Sequence, residues 1–204
     1  ITVVTLDSEQ DGIEQISSVL AESEDIDAIH FVSHGTDRSV KLGDAWIDNT
    51  NVEDYAPDIA GWGDALAEEA DLLFYGCNLA GGDRGRELLE TIGELTDADV
   101  AASTDNTGSA IYGADWDLEY SAGNIETSVV FSDQIQENWS GLLDTYTVIN
   151  TDDTGAGSLR QAIIDAEANA GTDTIEFNIA GGGPHEILVG WDFDGLPEIT
   201  EAVI

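Results

Sequence analysis

Basic residues, cysteine and long apolar runs are scarce in this sequence. Five Lys and Arg residues stand against 43 Asp and Glu residues in a chain of 204, so the formal net charge at pH 7 is −38. Binding to nucleic acid needs clustered Lys and Arg that neutralise phosphates, and the composition therefore predicts no nucleic-acid partner. We expect such a surface to be soluble at high ionic strength, where its self-repulsion is screened.

There is one cysteine, Cys77, so no disulfide can form within the chain, and no spacing of Cys and His matches a zinc site. No apolar run approaches the ~20 residues that cross a bilayer, which predicts no membrane span. The first residues lack the basic region of a signal peptide, and we expect any export signal to lie outside this sequence. The apolar fraction of 42% is ordinary for a globular protein and predicts a real core.

Short apolar runs alternate with helical patterns over the first two thirds of the sequence. An acidic capping box at residues 11–14 opens one helix, and a weaker helical pattern covers residues 61–70. The clearest helix is predicted at residues 83–95, and Gly43-Asp44 predicts a hairpin turn within residues 40–48. Strands are predicted at residues 2–6, 27–33, 72–75 and 99–103. This alternation predicts an α/β fold with a mostly parallel sheet and helices on both faces.

The pattern changes near residues 141–144, which divides the chain into two modules. We assign residues 1–141 to the α/β domain, residues 142–145 to a linker and residues 146–204 to a second module. The second module begins with a strand (YTVIN) and an Asp/Gly turn. A helix with the capping box SLRQ at residues 158–161 and a strand (TIEFNI) follow.

Two buried strands of the predicted sheet end in residues that can carry chemistry. One ends in His34-Gly35 and the other in Gly76-Cys77. The carboxyl ends of parallel strands form the crevice where ligands bind, so we expect these residues to lie together. A cysteine nucleophile needs a base and N–H groups that stabilise the oxyanion. The pattern favours His34 and Cys77 as a catalytic dyad, with the N–H groups of Gly35 and Cys77 as the oxyanion hole.

The order of these motifs resembles the clan CD cysteine peptidases, which include caspases, gingipains, clostripain and separase. Further motifs follow in order, namely LGDAWID, GWGDAL, ADLLFYGCNLA, DVAASTDNTG and GADWDLEY. Together they resemble a domain of unknown function found near the start of giant bacterial adhesin-like and calcium-binding surface proteins. This resemblance covers roughly residues 1–140. It implies a caspase-like sheet and a secreted, extracellular or cell-surface location.

The sequence departs from that family at its beginning, because members usually carry an additional strand and helix that would precede Ile1. We expect an open sheet edge there, which another chain could cover. The second module resembles the first coils of a right-handed parallel β-helix with a capping helix. Coils bury their ends only by stacking on further coils, so we expect Ile204 not to be a natural end. Copies of the chain that associate through the open sheet edge and the β-helix end would form a homo-oligomer or a filament, and this alternative stays open.

The resemblance also directs attention to acidic residues near the crevice and in the second module. Clan CD enzymes select substrates through a pocket for the residue before the cleaved bond, and an acidic pocket would select Arg or Lys. The candidates for this pocket are Asp37, Asp105 and Asp117. Candidate calcium ligands are Asp152, Asp153, Asp192 and Asp194, because calcium takes oxygen ligands in loops. Ordinary turn and capping roles compete with both assignments.

Two functions therefore follow as hypotheses. The first is a cysteine endopeptidase-like domain of a surface protein that acts on a polypeptide substrate or on its own chain, with the segment Leu142-Leu143 as a candidate cleavage site. It needs no cofactor, although calcium stays open. The second is a non-catalytic structural or assembly module of an adhesin or extracellular filament. For His30, which lies in the strand before His34, a satisfied structural role is favoured over a catalytic one.

Overall fold

The fold is taken from a computed structural model, which describes residues 1–139, 143, 145–168, 174–182, 184–190 and 195–199. Short 3₁₀ helices cover Val52–Tyr55, Gly63–Ala65 and Ala110–Tyr112. The α-helices are α1 (Gly12–Leu20), α2 (Ala56–Trp62), α3 (Asp83–Thr96), α4 (Asp133–Asn138) and α5 (Leu159–Ala168). The strands are β1 (Ile26–Val32), β2 (Gly35–Thr36), β3 (Ser39–Leu42), β4 (Ala45–Asp48), β5 (Leu66–Tyr75), β6 (Asp99–Ala102), β7 (Tyr120–Ala122), β8 (Thr145–Val148) and β9 (Thr174–Phe177).

The central sheet has four strands in the order β1-β5-β6-β7. The first three run parallel, with Phe31 beside Phe74 and Phe74 beside Ala102, and β7 closes the sheet as a short antiparallel strand. Residues 72–75 are buried on both faces, which is typical of a parallel strand covered on two sides. The predicted α/β class with a mostly parallel sheet flanked by helices is confirmed.

Three helices cover one face of this sheet. Asp11 caps α1 through its carboxylate, which accepts hydrogen bonds from the N–H groups of Ile13 and Glu14 at 2.8 and 3.2 Å. Helices α1, α2 and α3 each bury an apolar stripe in one core with the sheet residues of this face. The fully buried members of that core include Ile13, Ile59, Trp62, Phe74, Leu88 and Leu89. The helices predicted after Asp11 and over residues 83–95 are confirmed.

The opposite face of the sheet is covered in a different way. Leu73 and Tyr75 alternate with the residues of the first core and therefore point to this side. They pack in a second cluster with Cys77, Trp116 and Leu143. Between β7 and Leu143, the described residues form one helix, α4, which buries none of its residues. Aromatic side chains from a mostly irregular segment therefore cover this face, in place of a long helix.

Two predictions about local structure are wrong. Residues 2–6 form no strand, because a strand needs a neighbour to pair with and β1 pairs only with β5 in the described part of the chain. Residues 61–70 are not a helix, since α2 ends at Trp62 and β5 already begins at Leu66. The pairing of Ile26 with Leu66 extends β5 beyond the apolar run that the sequence shows.

The remaining elements form two small sheets. Strands β3 and β4 make the predicted hairpin, whose turn contains Gly43 at a φ of 61°. Strands β8 and β9 pair in parallel and pack with α5, burying Val148 and Ile163. This strand-helix-strand unit shows no stacked coils in the described residues, so the β-helix stays a prediction. Within the same residues, every helix is too short or too polar to cross a membrane.

Candidate active site

The ends of β1 and β5 lie side by side, which brings His34-Gly35 next to Gly76-Cys77. The pairing of Val32 with Tyr75 continues through a hydrogen bond from the Ser33 N–H to the Tyr75 carbonyl, at 3.4 Å. The backbones touch beyond that point: a Cβ placed on Gly35 would lie 2.9 Å from the Gly76 carbonyl carbon. The two predicted dyad residues therefore follow neighbouring strand ends.

Cys77 is fully buried, and the backbone of Thr107 holds its sulfur. The Thr107 N–H donates to Cys77 Sγ at 3.2 Å, while the thiol donates to the Thr107 carbonyl at 3.5 Å. An N–H that points at sulfur stabilises the thiolate, and the carbonyl stabilises the protonated thiol. Sequence reasoning did not identify Thr107. Its position just after β6, the next parallel strand, is the signal that could have found it.

Leu143 crosses the same strand ends. Its N–H donates to the Thr107 carbonyl at 3.0 Å, and its carbonyl accepts from the Gly35 N–H at 3.4 Å. Its side chain is 7% exposed and belongs to the cluster that contains Cys77. The Gly35 N–H, predicted to stabilise an oxyanion, therefore donates to a carbonyl oxygen of the chain itself.

The two histidines of this region have different surroundings. His34 is half-buried, and its backbone carbonyl accepts from the Lys41 N–H at 3.0 Å, so the β2-β3 hairpin holds it in place. His30 Nδ1 lies 3.1 Å from the Tyr75 hydroxyl, and the two rings stack. Burial lowers the pKa of His30, an effect that the charge of Asp71 partly offsets, and burial raises the pKa of Tyr75 to about 12. The bond to Tyr75 agrees with the structural role that the sequence favours for His30.

The three candidates for an acidic substrate pocket are all exposed. Asp105 lies in one acidic group with Asp115 and Glu119, and the charge of Asp117 also acts on it. Partial burial, followed by the charges of Glu119 and Asp115, raises the pKa of Asp105. The backbone of Asp37 lies against the start of α3. Its backbone carbonyl oxygen would lie 2.9 Å from a Cβ added to Gly82. An acidic pocket formed by these three side chains stays a prediction.

The predicted calcium ligands fall in the second module. The Asp153 carboxylate accepts from the Arg160 guanidinium at 2.8 Å, and this bond lowers the pKa of Asp153. Asp152 is exposed, whereas Asp192 and Asp194 lie outside the described residues. Carboxylate oxygens also gather, within 4.8 Å of one another, in two other groups, Asp71-Asp99-Glu126 and Asp105-Asp115-Glu119. Acidic groups of this kind are common in a chain with 43 acids, and calcium stays a prediction.

Two clefts of about 490 and 350 Å³ lie in the second module, and neither is lined by His34 or Cys77. At the strand ends Leu143 is packed in the same cluster as Cys77. A family model described as "Domain of unknown function (DUF4347)" matches residues 1–143. No curated protein and no solved structure matches the chain. The matched range ends at Leu143, the residue whose carbonyl accepts the hydrogen bond from the Gly35 N–H.

Proposed function

This chain belongs to the DUF4347 family, whose function is unknown, and we propose that residues 1–143 act as a cysteine endopeptidase on their own polypeptide. The cleaved bond joins Leu143 to Asp144. In keeping with the resemblance to secreted bacterial surface proteins, we place the protein outside the cell or on its surface. Cleavage would then separate this domain from the module that follows.

One observation carries the proposal: the Leu143 carbonyl accepts the Gly35 N–H beside Cys77. A peptide substrate of a cysteine peptidase must present its carbonyl to an N–H donor and its backbone to a fixed partner. Leu143 makes both contacts, since its carbonyl accepts from the Gly35 N–H and its N–H donates to the Thr107 carbonyl. The Thr107 carbonyl also accepts from the Cys77 thiol. The thiol and the Leu143 N–H therefore share one acceptor oxygen.

The proposed reaction uses these groups in order. Cys77 Sγ attacks the Leu143 carbonyl carbon as His34 takes the thiol proton, and the Gly35 N–H stabilises the oxyanion. The bond to the Asp144 nitrogen then breaks, and His34 returns the proton to that nitrogen. Water hydrolyses the thioester, which leaves a carboxylate on Leu143 and the free thiol. An oxyanion donor of this type contributes about 10²–10³-fold in rate.

The test follows the full chain over time by gel electrophoresis and intact mass. We expect one fragment that ends at Leu143 and one that begins at Asp144. Cys77→Ala and His34→Ala should each abolish these fragments. His185→Ala is the matched control, because it removes an exposed histidine from the second module and should leave the fragments unchanged. Fragments that persist in Cys77→Ala, or a wild-type chain that stays intact, would contradict the proposal.

The full burial of Cys77 favours a second candidate, a non-catalytic structural or assembly module. In that function Cys77 is a small core residue and Leu143 closes the cluster around it. Iodoacetamide distinguishes the two on the Leu143→Gly variant, in which the side chain over the cluster is removed. An activated thiolate should react quickly near neutral pH, whereas an inert core thiol should react only when the chain unfolds.

A further inference from the structure

We infer that this site accepts polypeptides with an apolar, leucine-sized residue before the cleaved bond. The inference rests on the proposed function and concerns which substrate the same site takes. It differs from the expectation of a basic residue that the resemblance to clan CD enzymes implies. The surroundings of the Leu143 side chain support it.

That side chain is almost fully buried among apolar neighbours. The cluster around it contains Leu73, Tyr75, Ala114 and Trp116. Leu73 and Tyr75 come from β5, whose alternation directs both to this side of the sheet. The central sheet therefore forms one side of the cluster around Leu143.

Aromatic rings enclose the other sides of this cluster. The Trp116 ring lies 6.0 Å from the Tyr75 ring and 4.7 Å from the Phe131 ring, measured between centroids. Trp139 meets Trp116 edge-on at 5.3 Å. Rings packed in this way leave walls that are apolar and rigid.

The backbone contacts fix which way the Leu143 side chain points. Its N–H is held by Thr107 and its carbonyl by Gly35, on either side of the same Cα. Any residue at this position that keeps both hydrogen bonds must place its side chain in the same cluster. The cluster therefore determines which side chains are compatible with a correctly placed carbonyl.

A charged side chain at this position would lose its hydration among the apolar side chains of this cluster. Asp37, Asp105 and Asp117, the carboxylates expected to bind a basic residue, are exposed to solvent. Burying an unpaired charge is strongly unfavourable, and a pocket that loses or gains one methylene already discriminates about 10–200-fold. We expect at least about 100-fold slower cleavage for a charged residue and less than about tenfold slower cleavage for methionine, which conserves volume.

The experiment measures the first-order rate of self-cleavage in full-length chains by intact mass. Leu143→Met should retain cleavage at the same bond, while Leu143→Lys and Leu143→Asp should be at least about 100-fold slower. The same substitutions in a Cys77→Ala chain, examined by thermal unfolding, identify any variant that does not fold. If the Leu143→Lys or Leu143→Asp chain is cleaved at a rate within tenfold of the wild-type rate, the inference is overturned.

A second measurement does not depend on a charged side chain fitting into the folded chain. The Leu143→Pro chain lacks the N–H that donates to Thr107, which releases residue 143 from the strand ends, and small N-acetyl amino acid esters then serve as substrates. We expect the leucyl ester to be hydrolysed at least about 100-fold faster than the arginyl ester. Equal rates, or a preference for arginine, would overturn the inference.

The two proposals fail in different ways. If cleavage disappears in Cys77→Ala but proceeds equally with leucine, lysine and aspartate at position 143, the endopeptidase function stands and the apolar preference is wrong. If cleavage persists in Cys77→Ala, the function itself is wrong.

Discussion

Replacing Gly35 with alanine tests whether the contact between the two strand ends holds the site together. The added Cβ would lie 2.9 Å from the Gly76 carbonyl carbon, 3.1 Å from the Gly76 Cα and 3.0 Å from the Cys77 carbonyl oxygen. These are backbone atoms at the end of a paired strand, and they cannot rotate away as a side chain could. We expect β1 and β5 to separate locally at this point.

The magnitude follows from overpacking, which typically costs about 1–3 kcal/mol. For a chain of this length each kcal/mol lowers Tm by about 2–4 °C. The same displacement lengthens the hydrogen bond from Gly35 to Leu143, already 3.4 Å. Gly35→Ala should therefore lower the free energy of unfolding and slow self-cleavage together.

Gly61→Ala is the matched control. Gly61 is exposed near the end of α2, and a Cβ there would meet no atom within 4 Å. Removing a helical glycine should stabilise the chain by up to about 1 kcal/mol. Urea unfolding followed by tryptophan fluorescence measures both variants. A Gly35→Ala chain as stable as the wild type, with unchanged cleavage, would show that this backbone contact does not hold the site together.

Three further predictions concern other parts of the molecule. Ser17→Ala should destabilise the chain by about 1–3 kcal/mol in urea unfolding, because the buried Trp62 indole donates to the Ser17 hydroxyl at 2.8 Å; a smaller loss than in an exposed Ser18→Ala control would contradict this. Burial lowers the pKa of His30 below 6.5, so the unfolded chain binds the proton more readily and this residue removes stability as the pH falls below 6.5. His30→Gln should therefore lose less Tm than the wild type between pH 7.5 and pH 5.5, and parallel curves would contradict that assignment. Raising NaCl from 0.05 to 1 M should increase Tm, since salt screens the self-repulsion of a net charge of −38; a Tm that falls with salt would show that ion pairs dominate instead.

The sequence predicted those elements whose apolar pattern is complete in itself. The helix over residues 83–95 and the strands near Leu72 and Asp99 agree with the structure because one face or both faces of each are buried. Residues 2–6 have the composition of a strand, yet pairing depends on a neighbour that local sequence does not specify. The first half of β5 was missed because it is a polar extension held by its partner strand.

The candidate site was predictable as far as strand ends are concerned. The rule that parallel strands end at one edge located His34 and Cys77. The hydrogen bonds of Thr107 and Leu143 join residues that are 36 positions apart in the chain, and no local pattern encodes such a contact. The placement of Asp37 against α3 depends in the same way on long-range packing.

The unpaired outer edge of β1 has a consequence for how the protein behaves in bulk. This strand has seven residues and pairs with β5 alone in the described part of the chain, while the other edge of the sheet ends in the three-residue β7. Long open edges can join edge to edge with another copy. Electrostatic repulsion between highly acidic copies opposes that approach. Salt screens the repulsion between copies as well as the repulsion within one chain, so the conditions that stabilise a single folded chain also weaken the force that keeps copies apart.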